Sequence, residues 1–160
     1  MIRPYIDADR GRLCEFFFNI IENYKEYISH GEMQMGVALD CGCLAPDARQ
    51  KWLEYLDRQV AELCNTLLID EEDGNIKGFI LFGVTMDGGE DFGVVFDLCI
   101  APNERGKHRG KRLLQCALDS FREQRVKDCY LESGVNNHGA HLFFEKQGFY
   151  QVSAVFKLKL

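Results

Sequence analysis

The chain lacks any apolar run approaching the ~20 residues that a membrane-spanning helix requires. Its first residues already carry Arg3, Asp7 and Asp9, which is not the pattern of a secretory signal. Proline occurs three times, and no low-complexity tract, internal repeat or linker interrupts the sequence. With 46% apolar and 28% charged residues, a disordered or fibrous chain is excluded. A second close cysteine pair is missing too. Of seven cysteines only Cys41 and Cys43 lie near each other, with no histidine at finger-like spacing, so no metal site is expected. The chain is too long and too rich in core formers for a disulfide scaffold. Cys14, Cys64 and Cys116 fall in helical patterns and Cys99 in a strand pattern, where they read as small buried hydrophobes. Positive charge is also in deficit: 19 basic against 25 acidic residues give −6, the wrong sign for a nucleic-acid binder. The expectation is a cytoplasmic protein with reduced thiols and with neither a membrane nor a nucleic acid as partner.

What is present suits one domain over residues 1–160. A chain of this size buries roughly 70% of its unfolded surface and folds without staples. Residues 2–7 read as a strand. From Arg10, apolar residues at 13, 16, 17, 20, 21 and 24 mark one helical face, predicted to run to Gly31. Gly36, Gly42 and Pro46 break the segment 32–46. A second helix is predicted to run to Asn65, with Trp52, Leu53, Leu56, Val60, Leu63 and Cys64 on its inner face. Strands follow at 66–70 and 76–86 around the turn Glu71–Asn75, then at 93–101 after Asp87-Gly88-Gly89. A helix from Gly106, a strand at 128–135, a helix at 137–147 and a last strand at 150–160 complete the order β-α-α-β-β-β-α-β-α-β. This is a mixed α/β architecture.

The most informative stretch is Pro102 to Leu114, where a strand feeds a glycine-containing turn that opens a helix. The first turn of a helix has unbonded N–H groups and the positive end of the dipole, so it accepts anionic oxygens. Residues 105–112 add five Lys or Arg and no acid, which suits a ligand with several phosphates. A solvated basic helix start is the plainer alternative. The stretch lacks the Gly-x-x-x-x-Gly-Lys-Ser/Thr pattern of a Walker loop.

Arg105-Gly106-Lys107-His108-Arg109-Gly110, following a strand that ends at Pro102, resembles the Arg/Gln-x-x-Gly-x-Gly/Ala signature of the GCN5-related N-acetyltransferases (GNAT). His108 replaces one glycine of that signature, and the loop keeps its donors if residue 108 takes ordinary helical angles. Asn137-x-x-Ala140-x-x-Phe143-Phe144-Glu145-Lys146-x-Gly148-Phe149 resembles the closing motif of the same family. Gly148 would be a left-handed helix cap and Phe149 its hydrophobic follower. The resemblance covers Phe92 to Leu160 and implies the GNAT fold, a mostly antiparallel sheet flanked by helices.

The resemblance further implies acetyl-CoA as co-substrate, bound where two neighbouring strands splay apart. Its pantetheine arm would lie along Leu98, Cys99 and Ile100, and its pyrophosphate on Arg105, Gly106, Lys107, His108, Arg109, Gly110 and Lys111. Asn137 and Phe144 would border the cofactor, although Asn137 serves equally well as a helix N-cap. The reaction implied is direct acetyl transfer to a primary amine of a small molecule or peptide within a ternary complex. An alkyl ammonium of pKa ~10.4 must lose a proton before it attacks. Glu132 is the favoured base, because Tyr130-Leu131-Glu132 resembles the Leu-Glu-Val strand of ribosomal-protein N-terminal acetyltransferases. Asp97 is the second candidate. Strict alternation puts it with Val95 and Cys99, opposite Val94, Phe96, Leu98 and Ile100.

Phe144 stands at the family's usual tyrosine position and cannot donate a proton to the departing thiolate. An acyl-cysteine route through Cys99 needs a neighbour that lowers its pKa, and the sequence fixes none. Residues 25–45, with Tyr24, Tyr27, His30, Met33 and Met35, would border the acceptor. Acidic clusters at 70–73 and 87–91 lean toward a cationic one. Against the enzyme stand a non-catalytic acyl-CoA-binding protein and a scaffold that forms a homodimer through residues 152–160.

Overall fold

The computed structural model describes residues 1–85 and 89–160. Met86, the expected end of a strand, and the Asp87-Gly88 part of the next turn lie outside the described residues. The elements are β1 (Ile2–Pro4), α1 (Arg10–Ile21), α2 (His30–Gln34), α3 (Ala48–Ala61), β2 (Asn65–Glu72) and β3 (Asn75–Thr85). They continue with β4 (Phe92–Ile100), α4 (Arg109–Glu123), β5 (Cys129–Leu131) and α5 (His138–Lys146). The five strands form one sheet in chain order, antiparallel throughout except for the parallel pair β4–β5. Asp73 and Gly74, both at positive φ, make the two-residue turn between β2 and β3.

Two expectations are corrected. Residues 150–160 form no strand. They are exposed throughout and pair with no strand among the described residues, which leaves their backbone groups to solvent. The second helix stops at Ala61, not Asn65, so Leu63 and Cys64 are exposed. The first helix is likewise shorter, ending at Ile21 before the short helix α2.

Each face of the sheet carries a core. On one, α1 and α3 cover Leu67, Ile69, Phe79 and Leu81, with Trp52 stacked on Phe17 at 4.6 Å between ring centres. On the other, α4 covers Ile80, Phe82 and Val95 through Leu113, Leu114, Ala117 and Phe121. Strict alternation fails in β4. Leu81 pairs with Asp97 but Phe82 with Val95, so Phe96 is an extra residue, a β-bulge. Val95 therefore shares the α4 face with Leu98 and Ile100, whereas Phe96, Asp97 and Cys99 face α1 and α3.

Candidate active site

The β4–β5 ladder ends at Val95↔Leu131, immediately before the bulge. From Phe96 to Ile100 the β5-facing edge of β4 has no strand partner among the described residues, so its backbone groups line an open cleft. The bulge bends β4 and steepens its twist, which turns it away from its neighbour. The start of α4 closes the C-terminal end of this cleft. A side chain at Gly110 would stand 3.4 Å from Ile100 and 3.5 Å from Phe143, so α4, β4 and α5 converge there on a residue with no side chain.

The loop before α4 differs from expectation in one angle. His108 has φ 61°, the left-handed region, not ordinary helical values; it takes the glycine's conformation as well as its place. Histidine is among the few non-glycine residues enriched there. Gly106, at φ 76°, makes the turn before it. The Arg112 N–H bonds to the His108 carbonyl and starts the helical ladder. The N–H groups of Arg109, Gly110 and Lys111 precede it and form the unbonded first turn.

The side chains of this loop play parts the sequence does not announce. Arg109 is buried and turns inward, donating to Glu104 at 2.9 Å, Asp70 at 2.9 Å and Glu72 at 2.5 Å. As a phosphate ligand its guanidinium is spent, and only its backbone N–H remains for that purpose. Its hydrogen bond to Asp70 raises its pKa, and in return Glu104 is held below the usual carboxylate range. Burial works against ionisation of Asp70, but Arg109 and the Met1 amine outweigh it. Lys107 pairs with Glu104 at 3.2 Å and Arg112 with Asp70 at 3.5 Å. Three of the five cations are thus paired with acids, Glu104 just before the loop and Asp70 and Glu72 of β2, and backbone dipoles carry more of the anion attraction than the count suggests. The same pairs engage Asp70 and Glu72, and Glu71 bonds Arg3 and Arg12, so three of the four acids of cluster 70–73 are held in ion pairs within the chain. Glu90, in the other cluster, pairs with Lys127. Arg105 bonds the Tyr27 hydroxyl and lies over the rings of Tyr27 and Tyr24, 4.6 and 5.7 Å from their centres. It also reaches the Ile100 carbonyl at 3.4 Å, which brings the 24–27 segment to the mouth of the cleft.

Asp97 accepts a 2.7 Å hydrogen bond from the Tyr55 hydroxyl of α3. Desolvation pushes the Asp97 carboxyl up to about 7; the Tyr55 bond opposes this and the charge of Glu32 adds to it. Burial and then the Asp97 charge raise Tyr55 well above an ordinary phenol, so it stays protonated and donates. Burial pushes the Cys99 thiol up to about 12, which leaves it inert as a nucleophile. Glu132 directly follows Leu131, the last paired residue of β5, and is exposed. Asn137 caps α5, accepting from the Ala140 N–H at 3.2 Å. Phe144 packs on Phe143 and Phe149 with ring centres 5.2 and 5.8 Å away. Gly148, at φ 93°, and Phe149 close α5 by bonding Glu145 and Phe144, a Schellman turn. Tyr150 follows that turn, 81% exposed, and does not stand in for a tyrosine at 144.

Two polar groups escape the sequence reading. Tyr55 lies three residues after Trp52, so its place on the inner helical stripe was legible; its bond to Asp97 was not. The Ser133 hydroxyl is buried just beyond β5 without a hydrogen-bond partner, and no motif marks it.

The Acetyltransferase (GNAT) family model matches residues 37–149, and the chain belongs to that family. Among individual proteins, a Bacillus subtilis (strain 168) protein provisionally named as a ribosomal protein bS18 alanine N-acetyltransferase is 28% identical over 81 residues. The match covers 51% of either chain, so it spans about half the length of that relative. The aminoglycoside antibiotic 6'-N-acetyltransferase of Acinetobacter haemolyticus superimposes with a TM-score of 0.72 at 14% identity, covering 100% of this chain and 97% of the other. A tetramutant of the BH1408 protein of Bacillus halodurans does so with 0.77 at 15% identity, covering 100% and 99%. At such identities the likeness is one of fold.

Proposed function

We propose that this protein transfers an acetyl group from acetyl-CoA to a primary amine, with Asp97 as the group that receives the amine's proton. The residues present fit the cofactor. The open β4 edge at Leu98–Ile100 offers backbone groups to an amide-bearing arm. The first-turn N–H groups of Arg109, Gly110 and Lys111, with the exposed side chains of Lys107 and Lys111, suit a pyrophosphate. Gly110 keeps the junction of α4, β4 and α5 free of a side chain. Acetyl-CoA supplies an activated acetyl thioester; no metal has a part in this reading.

The observation that carries the reading is the Asp97–Tyr55 pair beside the bulge. A carboxyl with a pKa near 7 divides its time between both protonation states at neutral pH, as a general base requires. Tyr55 fixes its orientation, and its partial solvent contact lets a water relay the proton. These features favour Asp97 over Glu132, whose exposed carboxylate has no hydrogen-bond or ion-pair partner among the described residues. The Asp97 and Glu32 carboxylates, both acting on the Tyr55 hydroxyl, favour a cationic acceptor. The test is turnover of an amine panel with acetyl-CoA, comparing the protein with Asp97→Asn. Loss of turnover with retained acetyl-CoA binding supports the assignment. Full activity of the variant moves the base to Glu132.

Phe144 favours a second reading, a protein that binds acyl-CoA without catalysis, because the position lacks a proton donor for the thiolate. Acetyl-CoA binding with no transfer to any amine and no thioester hydrolysis would establish it. Within the enzymatic reading, water supplies that proton. An unchanged rate and pH profile for Phe144→Tyr would show that position 144 limits nothing.

A further inference from the structure

Cys41-Gly42-Cys43 is the one close cysteine pair of the sequence, and acetyl transfer makes no use of it. The three residues form the tip of a narrow turn. The Gly42 N–H bonds to the Leu39 carbonyl at 2.8 Å, and the Leu39 N–H to the Cys43 carbonyl at 2.7 Å. An antiparallel bridge between Ala38 and Leu44 pins the base of the turn. Gly42 takes φ 75°, and the chain bends there with both cysteines exposed. Even fully extended, two residues span only about 7 Å. A disulfide needs Cα atoms closer than about 6.8 Å, which a bend at the middle residue supplies.

The two thiols are also unlike each other and unlike the rest. Burial pushes the thiols of Cys14, Cys99, Cys116 and Cys129 up, away from reactivity. Cys41 moves the other way. A hydrogen bond from the Cys43 thiol holds it below an ordinary thiol, backbone donors add to this, and so does the charge of Lys25. Cys43 is raised in return by Cys41. Asp40, the acidic neighbour that would oppose ionisation, is paired with Lys157 at 2.5 Å. One thiol is thus prepared to attack and the other to follow. Beside Cys43 lies an open hollow of about 260 Å³, bounded by Ile21, Lys25, Ile28 and Leu44. Glu22 at its rim is held by Arg49 at 3.0 Å, whereas Lys25 has no ion-pair partner among the described residues.

We propose that Cys41 and Cys43 form a site of reversible thiol–disulfide exchange with small disulfides that carry carboxylates, the class to which oxidised glutathione belongs. The Cys41 thiolate attacks one sulfur of the small disulfide, and the other half leaves as a thiolate that takes a proton from water. Cys43, losing its proton to water, attacks the Cys41 sulfur of the mixed disulfide and expels the second half as a thiolate. Two protein thiols are oxidised, and one small disulfide is reduced to two thiols. Lys25 in the hollow meets the carboxylates of the incoming molecule. The loop closed spans a single intervening residue, so the bond adds little chain-entropy stabilisation. Being exposed, it belongs with the labile, reversible disulfides.

The reduced full chain, incubated with glutathione disulfide and mapped by peptide mass spectrometry over time, tests this. The expected product is a peptide carrying Cys41 and Cys43 that has lost two hydrogens and retains no glutathione, restored by excess reduced glutathione. Cys43→Ser should trap one glutathionyl group on Cys41. Cys41→Ser should slow reaction at the turn about tenfold. Lys25→Glu should slow glutathione disulfide more than neutral hydroxyethyl disulfide. A mixed disulfide that persists in the parent, an unchanged rate in Cys41→Ser, or attack on exposed Cys64 as fast as on Cys41 overturns the proposal. Equal slowing of both disulfides by Lys25→Glu overturns the preference for an acidic partner.

Discussion

A carboxylate and a phenol set the chemistry expected here. With Asp97 near 7, kcat/KM should rise as pH climbs through that value and level off above it, since the ionised form accepts the proton. Asp97→Asn should abolish that limb and lower kcat by about 10²–10⁴-fold. Tyr55→Phe removes a donor that favours the carboxylate, so the limb should move to higher pH; a pH–rate profile reads both. The same group affects folding. Its unfolded pKa is ~3.9, so between that value and about 7 the native state holds a proton the unfolded chain lacks. Stability attributable to Asp97 should therefore fall as pH rises across this window, and Asp97→Asn should flatten the dependence in denaturant titrations. Cys99→Ala should leave turnover intact, because a thiol pushed up to about 12 forms no thiolate at neutral pH. Asp97 was legible in the sequence as a carboxylate in an apolar strand. Its partner was not, because Tyr55 lies 42 positions away and only packing joins them.

Among the elements, the loop into α4 shows how far a motif reads and where it stops. Its order, glycine turn and helix start follow from local chemistry, and the structure keeps them. The inward turn of Arg109 depends on Glu104, Asp70 and Glu72, which the motif does not contain, and the motif does not announce the left-handed backbone of His108. His108→Val puts a β-branched residue at φ 61° and should cost about 1–2 kcal/mol. His108→Gly should be neutral or slightly stabilising, and thermal denaturation distinguishes the two. Arg109→Met would strand three carboxylates around an apolar side chain and should cost about 3 kcal/mol. The first-turn amides that Arg109 does not need would still be in place, so acetyl-CoA should raise the melting temperature of the variant as it does that of the parent. The last element fails differently. Residues 150–160 have a strand's periodicity, but periodicity states a preference and cannot supply the neighbouring edge that a strand requires.

Across the whole molecule, the sheet, its two helical layers and the family were legible because long apolar stripes and two spaced motifs agree with one another. The charge balance was less informative than its uneven distribution suggested, since folding pairs three of the loop's five cations with acids, Arg109 and Arg112 with acids of β2 and Lys107 with Glu104. A ligand held only by the native state stabilises it by about 2.7 kcal/mol at a hundredfold excess over Kd, so acetyl-CoA should raise the melting temperature while duplex DNA should not. The bulge in β4 has a consequence at this scale as well. One surplus residue, Phe96, separates a stretch where two parallel strands are laced together from a stretch where they part. Deleting it would leave Asp97, Leu98, Cys99 and Ile100 on their present faces yet straighten the backbone. The β5 segment would then be free to zip onward along β4 and seal the gap. Such a protein should keep its fold and lose its cofactor, a hollow made by a single inserted amino acid and erased by its removal.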